Sequence, residues 1–319
     1  MTGSPDPLEL ALHMICSDHF ALRPGELLLV AADPPCLELG KKLVASARKI
    51  GHSCELLEIG LVEAPGKAPA GFTSEALSRG AAALLVSSKS LSHTEARRKA
   101  CHENGVRIAS MPGITEEMLS RLFAPGSAEL VDRSTRVLAG RLAGAAKITL
   151  KCAGGTELRL SVRGRRLYLD DGLYREPGRF GNLPAGEVSW SPVPGSTEGR
   201  IVVDVAFAGL GAVEGLVLEI RRGKIAGAGG AKSRRLLEML SGPAERMLGE
   251  FGIGTNPLAR PGAVTLEAEK ATGTVHFGFG DNRSFGGENV AAGHWDAVVS
   301  CEELEVDGVT VELETGRKP

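Results

Sequence analysis

An excess of charge of either sign is missing: 37 Lys and Arg stand against 39 Asp and Glu, and no basic run collects into a tail. With a net charge of −2 there is no positive field to gather a phosphate backbone, so nucleic acid is not expected as a partner. Long apolar runs are missing too. None approaches the ~18 to 20 residues that span a bilayer, and the start MTGSPDPLEL lacks the basic-then-apolar order of a secretory signal. No membrane contact and a cytoplasmic location are therefore expected. Six cysteines (Cys16, Cys36, Cys54, Cys101, Cys152 and Cys301) form no CxxC pair. This excludes a zinc knuckle and a dense disulfide framework, and leaves buried free thiols as the expected state. No GxGxxG follows the first β-type run, which disfavours dinucleotide binding.

What is present is 43% apolar and 24% charged residues over 319 positions, a composition for about two soluble domains. The first part alternates β-type runs with helix-period segments. Glu26 to Ala32, Cys54 to Ile59, Ala81 to Ser87 and Val106 to Ser110 read as strands. Between them, Leu37 to Ile50 is apolar at helical spacing, and Ser92 or Thr94 caps a helix running to Gly105. After a helix over Leu130 to Ala145, short strands separated by glycine take over, with hairpin turns at Cys152 to Thr156 and Arg222 to Lys224. One helix, Ser233 to Gly249, interrupts them. The expectation is an α/β domain with a mainly parallel sheet over 1–145, followed by a β-rich α+β metal-binding domain over 146–319.

Histidine is scarce, seven in all, and the two beyond residue 102 fall within twenty positions of each other. His276 closes a short β-type run and His294 lies two residues before Asp296. In a strand, i and i+2 project to one face, so His294 and Asp296 can reach one ion. Imidazole plus carboxylate suits zinc, cobalt, manganese or ferrous iron. The alternative is a glycine-rich meander with two surface histidines. Glu187 in RFGNLPAGEV and Glu250 in GEFGIGTNP sit among Gly, Pro and Asn rather than on an amphipathic helix face. Special backbone beside a carboxylate suggests a rigidly held ligand, although a turn or cap role suits either one alone.

The stretches NLPAGEV, GEFGIGTNP, EAEKATGTVH and HWD, in that order, resemble the aminopeptidase T/leucyl aminopeptidase family of metallopeptidases. The resemblance implies a pair of divalent ions on Glu187, Glu250, His276, His294 and Asp296, and a homo-oligomer, most simply a dimer. Upstream, SLSHTEARRKACHENGVRIASMPGIT is similar to the wider superfamily that includes the ferrous 2,5-dihydroxypyridine 5,6-dioxygenases. There it makes His93 a candidate substrate contact, or else a helix-start residue in water.

On this resemblance the chain is a metal-dependent hydrolase that removes N-terminal residues from small peptides. Two ions activate a shared water, Glu187, Glu250 and His93 are the catalytic candidates, and Glu267 or Glu269 is a possible base. Lys270 beside those two acids equally suits a surface ion pair. Two departures matter: the peptidases place a tyrosine shortly after the GTxH histidine, whereas FGFGDNRSFGG offers only Arg283 and Phe285 by position, and the loop between GTVH and HWD is shorter than in the peptidases. The alternative is one Fe(II) on His276, His294 and Asp296, acting on a dihydroxylated ring, or else a metal-binding relative without peptidase activity.

Overall fold

The computed structural model describes residues 6–313. Continuous apolar runs become strands buried on both faces, as in parallel sheets covered by helices. Leu27–Ala32 (β1) and Ala82–Val86 (β3) are of this kind, every residue but Leu27 being buried. Helix α1 is Pro7–Met14, and α2, Leu37–Lys49, buries Leu43, Val44 and Ala47 before strand β2, Ser53–Glu58. The short helix α3, Ser74–Leu77, the helix α4, Glu95–His102, and the helix α5, Glu116–Leu122, each start on a threonine (Thr73, Thr94, Thr115) whose hydroxyl accepts a backbone N–H of the first turn. Strand β4 is Arg107–Ser110.

Two compact units result. The first runs to Asp132 and takes back Gly172–Ala185 from later in the chain. The division falls inside helix α6, Ser127–Arg141. Its five-stranded sheet has the order β2-β1-β3-β4-β8 with every pairing parallel, the last strand β8 being Phe180–Asn182 from the returning segment.

The second unit holds Arg133–Asp171 and everything from Gly186 onward. Its strands in chain order are β5 Lys147–Lys151, β6 Glu157–Ser161, β7 Tyr168–Asp170, β9 Glu187–Trp190, β10 Glu198–Val203, β11 Ala206–Phe207 and β12 Gly211–Ala212. They continue with β13 Leu216–Arg221, β14 Lys224–Gly230, β15 Leu248–Gly254, β16 Thr274–Gly280, β17 His294–Ser300, β18 Glu303–Val306 and β19 Val309–Glu312. One seven-stranded sheet is ordered β14-β13-β10-β6-β5-β18-β19 and the other β12-β11-β17-β16-β15-β9-β7. Alternate residues of each face one common core. Ile148, Leu158, Ile201 and Leu218 come from the first sheet, and Trp190, Phe251, Phe277, Ala297 and Val299 from the second. The fold class is therefore as the sequence implies, a parallel α/β unit and a separate antiparallel β-rich one.

Two expectations are corrected. The helix expected over Ser233 to Gly249 ends as α7 at Met239, and Leu248–Gly254 is instead a central strand. Cys152 and Cys301 are not free thiols but form a disulfide, while the other four cysteines are free. The β5–β18 pairing, Leu150 opposite Leu304, carries these two strand ends together, with Cα atoms 5.0 Å apart, a bridging distance. No helix among the described residues is long and apolar enough to cross a membrane.

Candidate metal centre

One face of the second sheet is apolar and faces the core; the other collects the candidate ligands. In β16, Val275, Phe277 and Phe279 belong to the core while His276 alternates with them, and in β17 Trp295, Ala297 and Val299 do the same for His294 and Asp296. In β9, Val188 and Trp190 point inward and Glu187 outward by the same period. Strand β15 needs a correction to join them. Leu248 lies in the core, so Glu250, two residues on, would follow it inward. A register shift between Leu248 and Glu250 inserts one residue and turns Glu250 to the other face, opposite Gly278.

The glycines make room for rings. An alanine Cβ at Gly252 would lie 2.1 Å from the His276 Nε2, and one at Gly278 would lie 2.3 Å from the His294 Nε2. Each imidazole thus lies flat across the neighbouring strand where a side chain would otherwise stand. Gly186, at φ +116°, lets the backbone pass Asn256, whose Cβ would be 2.7 Å from an added one. The NLPAGE and GTNP stretches meet there, since the Thr255 N–H donates to the Gly186 carbonyl at 2.9 Å. The unusual backbone around Glu187 therefore places the start of β9 beside the end of β15.

Five of the six sequence-predicted residues converge in this unit, in two donor groups that share Glu250: Glu187, Glu250 and His276, and Glu250, His294 and Asp296. His294 Nε2 stands 3.0 Å from both Glu250 Oε2 and Asp296 Oδ1. His276 Nε2 stands 3.1 Å from Glu187 Oε2 and 4.0 Å from Glu250 Oε1. Two donors at right angles on an ion with ~2.1 Å bonds sit ~3.0 Å apart, so the His294 group has the spacing a divalent ion asks for. The His294 Nδ1–H donates to the Asp281 carbonyl at 2.8 Å, which leaves the Nε2 lone pair directed at the carboxylates. His276 Nδ1 and Glu187 Oε2 are buried without a hydrogen bond. His93 is in neither group. It lies half-buried in the first unit, just before the Thr94 cap, its carbonyl accepting from Arg98 Nη1 at 2.6 Å.

Electrostatics also call for a cation. Glu187, Glu250 and Glu269 are buried with one lysine, Lys270, which is 1% exposed. Its Nζ lies 2.7 Å from Glu187 Oε1 and 3.0 Å from Glu269 Oε1. Burial pulls the His276 ring down, but Glu187, Glu269 and Glu250 together more than offset this and raise it to about 9. Burial likewise opposes the charge on His294, which Asp296 and Glu250 hold well above the usual histidine range. Asp296 is raised by burial yet held low by His294. Burial pushes Glu269 up to about 8 against the pull of Lys270. Without an ion, protons on the imidazoles have to balance the carboxylates; the donor set therefore fits a divalent metal.

Two neighbours differ from the sequence reading. Lys270 makes no surface ion pair, because the short helix α8, Thr265–Ala268, turns Glu267, Glu269 and Lys270 all inward. Glu267 is no free base: its Oε1 accepts the Arg260 N–H at 2.8 Å. Phe285, half-buried, rests its ring 5.4 Å from the His294 ring and 6.3 Å, edge-on, from Tyr168. Arg283 is drawn onto Asp281, with Nε at 2.8 Å from Oδ2. Tyr168 and Asp281 escaped sequence reading, since neither stands in a recognisable local pattern. The buried Lys270 had a signal, its place directly between the acidic turn and GTVH.

The family profile described as 2,5-dihydroxypyridine 5,6-dioxygenase (NicX) matches residues 68–317. The chain belongs to this dioxygenase family. No curated protein matches it. Among solved structures, a 2,5-dihydroxypyridine dioxygenase from Pseudomonas putida KT2440 is 18% identical at a TM-score of 0.78, covering 99% of this chain and 97% of that one. Wild-type AmpT from Thermus thermophilus is 20% identical at a TM-score of 0.69, covering 97% and 98%. The chain thus shares its fold with both structures. The family match moves the leading reading from peptidase, as the sequence suggested, to dioxygenase.

Proposed function

We infer that the protein is a metal-dependent dioxygenase that opens a dihydroxylated heteroaromatic ring of the dihydroxypyridine type. The observation that carries this reading is the family match, whose span, 68–317, includes all five converging donors and the ring-bearing turn at Phe285. His276, His294 and Asp296, the set expected for one ferrous ion, would hold the ion together with Glu250, whose two oxygens reach into both donor groups. A ferrous ion there would supply the one-electron chemistry that dioxygen needs to react with a closed-shell ring. The chain's own part is orientation and proton placement. Asp281 fixes the His294 tautomer, and Phe285 sets a planar apolar wall beside that imidazole against which a flat ring can lie. Burial pushes the Glu269 carboxyl up to about 8 beside the Lys270 ammonium, which makes it a buried group able to hold a proton.

The test is anaerobic loading with Fe(II), followed by 2,5-dihydroxypyridine and air-saturated buffer. Uptake of one dioxygen per ring, with loss of the ring absorbance, is expected. No uptake by protein carrying bound iron overturns the reading. A hydrolase is the second reading, favoured by one feature: the two oxygens of Glu250 reach into different donor groups, as a carboxylate between two ions does. Its signature is release of p-nitroaniline from aminoacyl-p-nitroanilides by the zinc-, cobalt- or manganese-loaded protein.

A further inference from the structure

The donor face of the second unit extends past the metal ligands. Strand β7 pairs with β9, placing Tyr168 opposite Ser189 and Asp170 opposite Glu187. Leu167 and Leu169 pack against the core, so by the strand period Tyr168 stands on the outer side with Glu187, its diagonal neighbour at the ~7 to 8 Å that an aromatic side chain bridges. From there its ring meets Phe285 edge-on at 6.3 Å, and Phe285 lies 5.4 Å from the His294 ring. The Tyr168 hydroxyl sits over Gly286, where an added Cβ would be 2.6 Å from it. Arg165 clamps this arrangement, its Nε donating to the Ser191 carbonyl at 2.7 Å and its Nη2 to the Gly286 carbonyl at 3.1 Å. Arg166 lies over the Tyr168 ring, its Cζ 4.9 Å from the ring centroid.

Two donor groups thus stand side by side without a protein acceptor. Among the described residues, neither the Tyr168 hydroxyl nor the Arg166 guanidinium has a hydrogen-bond or carboxylate partner. Arg166 is exposed and Tyr168 half-buried, so both are open to a bound molecule. A planar fork of N–H groups beside an O–H matches the two oxygens of a carboxylate, and the stack on the Tyr168 ring holds the fork in place before anything binds. We propose that Tyr168 and Arg166 form a specificity-determining subsite for a carboxylate on the substrate ring, reached from His294 by way of Phe285. The metal end takes the ring hydroxyls, Phe285 takes the flat face, and the Tyr168–Arg166 pair takes the anion. The inference rests on the ring-cleaving reading and narrows its substrate to dihydroxylated rings that carry a carboxylate away from the hydroxyls.

The test measures ligand preference without turnover. Wild-type protein, Arg166→Met, Arg166→Lys and Tyr168→Phe are loaded with Mn(II) and titrated calorimetrically, in the absence of dioxygen, with 3,4-dihydroxybenzoate and with its neutral isostere 3,4-dihydroxybenzamide. The wild type is expected to bind the carboxylate about 10-fold more tightly than the amide, the low end for a hydrogen bond to a charged group. Arg166→Met, which keeps an unbranched stem, is expected to bind the two alike. Arg166→Lys keeps most of the preference, and Tyr168→Phe loses several-fold in affinity for the carboxylate. A merely structural role would weaken both ligands together and leave their ratio unchanged. No binding of the carboxylate by the wild type, equal affinity for the pair, or a preference that survives in Arg166→Met overturns the proposal. Ring cleavage of 2,5-dihydroxypyridine by the Fe(II)-loaded protein reports separately. A carboxylate preference without ring cleavage upholds the subsite and removes the dioxygenase reading, whereas ring cleavage without the preference removes the subsite alone.

Discussion

Replacing Gly252 by alanine isolates the most specific structural claim, that the glycines of the sheet are berths for the imidazoles. The backbone there has no positive φ, and the three atoms nearest the new Cβ all belong to the His276 ring, at 2.1, 2.2 and 3.0 Å. Opening 2.1 Å to an ordinary contact of 3.4 Å moves the ring by about 1.3 Å, well past the ~0.5 Å tolerance of a working site. The neighbouring strands are tightly packed, so the ring swings rather than the sheet. Overpacking of this kind costs about 1 to 3 kcal/mol, which a domain of this size survives, whereas misplacing a donor weakens metal binding by roughly 10- to 100-fold. Calorimetric titration with Mn(II) and thermal unfolding by circular dichroism separate the two effects. Gly262→Ala is the control, since nothing lies within 4 Å of its added Cβ. A folded Gly252→Ala protein that binds metal as tightly as wild type, or a Gly262→Ala control equally impaired, refutes the berth argument.

Other outcomes follow from the same geometry. His294→Ala removes the donor common to the tightest spacings and should strip most of the metal from dialysed protein, as read by elemental analysis. His19 is fully buried, with Nδ1–H donating to the Gly172 carbonyl at 2.7 Å, and burial holds its pKa below the usual 6.5. The unfolded chain therefore binds a proton below about pH 6.5 that the folded one refuses. This contribution to stability is present above that pH and falls by up to about 1.4 kcal/mol per unit below it. In denaturant melts from pH 7 to 5, His19→Gln should show a shallower slope than wild type; parallel slopes would contradict the assignment. Reducing the Cys152–Cys301 bridge, which closes a separation of 149 residues, should lower stability by about 2 to 5 kcal/mol, and a denaturation midpoint unchanged by dithiothreitol would count against it.

The elements legible in the sequence are those whose signals are local. The apolar runs of β1 and β3 and the threonine caps of α4 and its neighbours declare themselves within a few residues. Strand β15 did not, because its three glycines weaken strand propensity, and the leucines of α7 prolong a helical period toward it. Its pairing with β9 and β16 overrides both. The return of Gly172–Ala185 to the first unit and the meeting of Cys152 with Cys301 depend on strand order, which no local pattern encodes.

For the site the division is different. Glu187 and Glu250 were legible from their Gly, Pro and Asn settings, and His276, His294 and Asp296 from the scarcity of histidine and the HxD spacing, but the direction each faces was not, and direction decides the chemistry. Glu250 reaches the donor face only because one extra residue in β15 flips it away from the side of Leu248. Glu269 and Lys270 looked like solvated charges because an acid beside a lysine usually is one, yet α8 turns both into the interior. A sequence lists ligand types and so matches a two-ion pattern; only the structure shows that one carboxylate of that pattern already holds a cation.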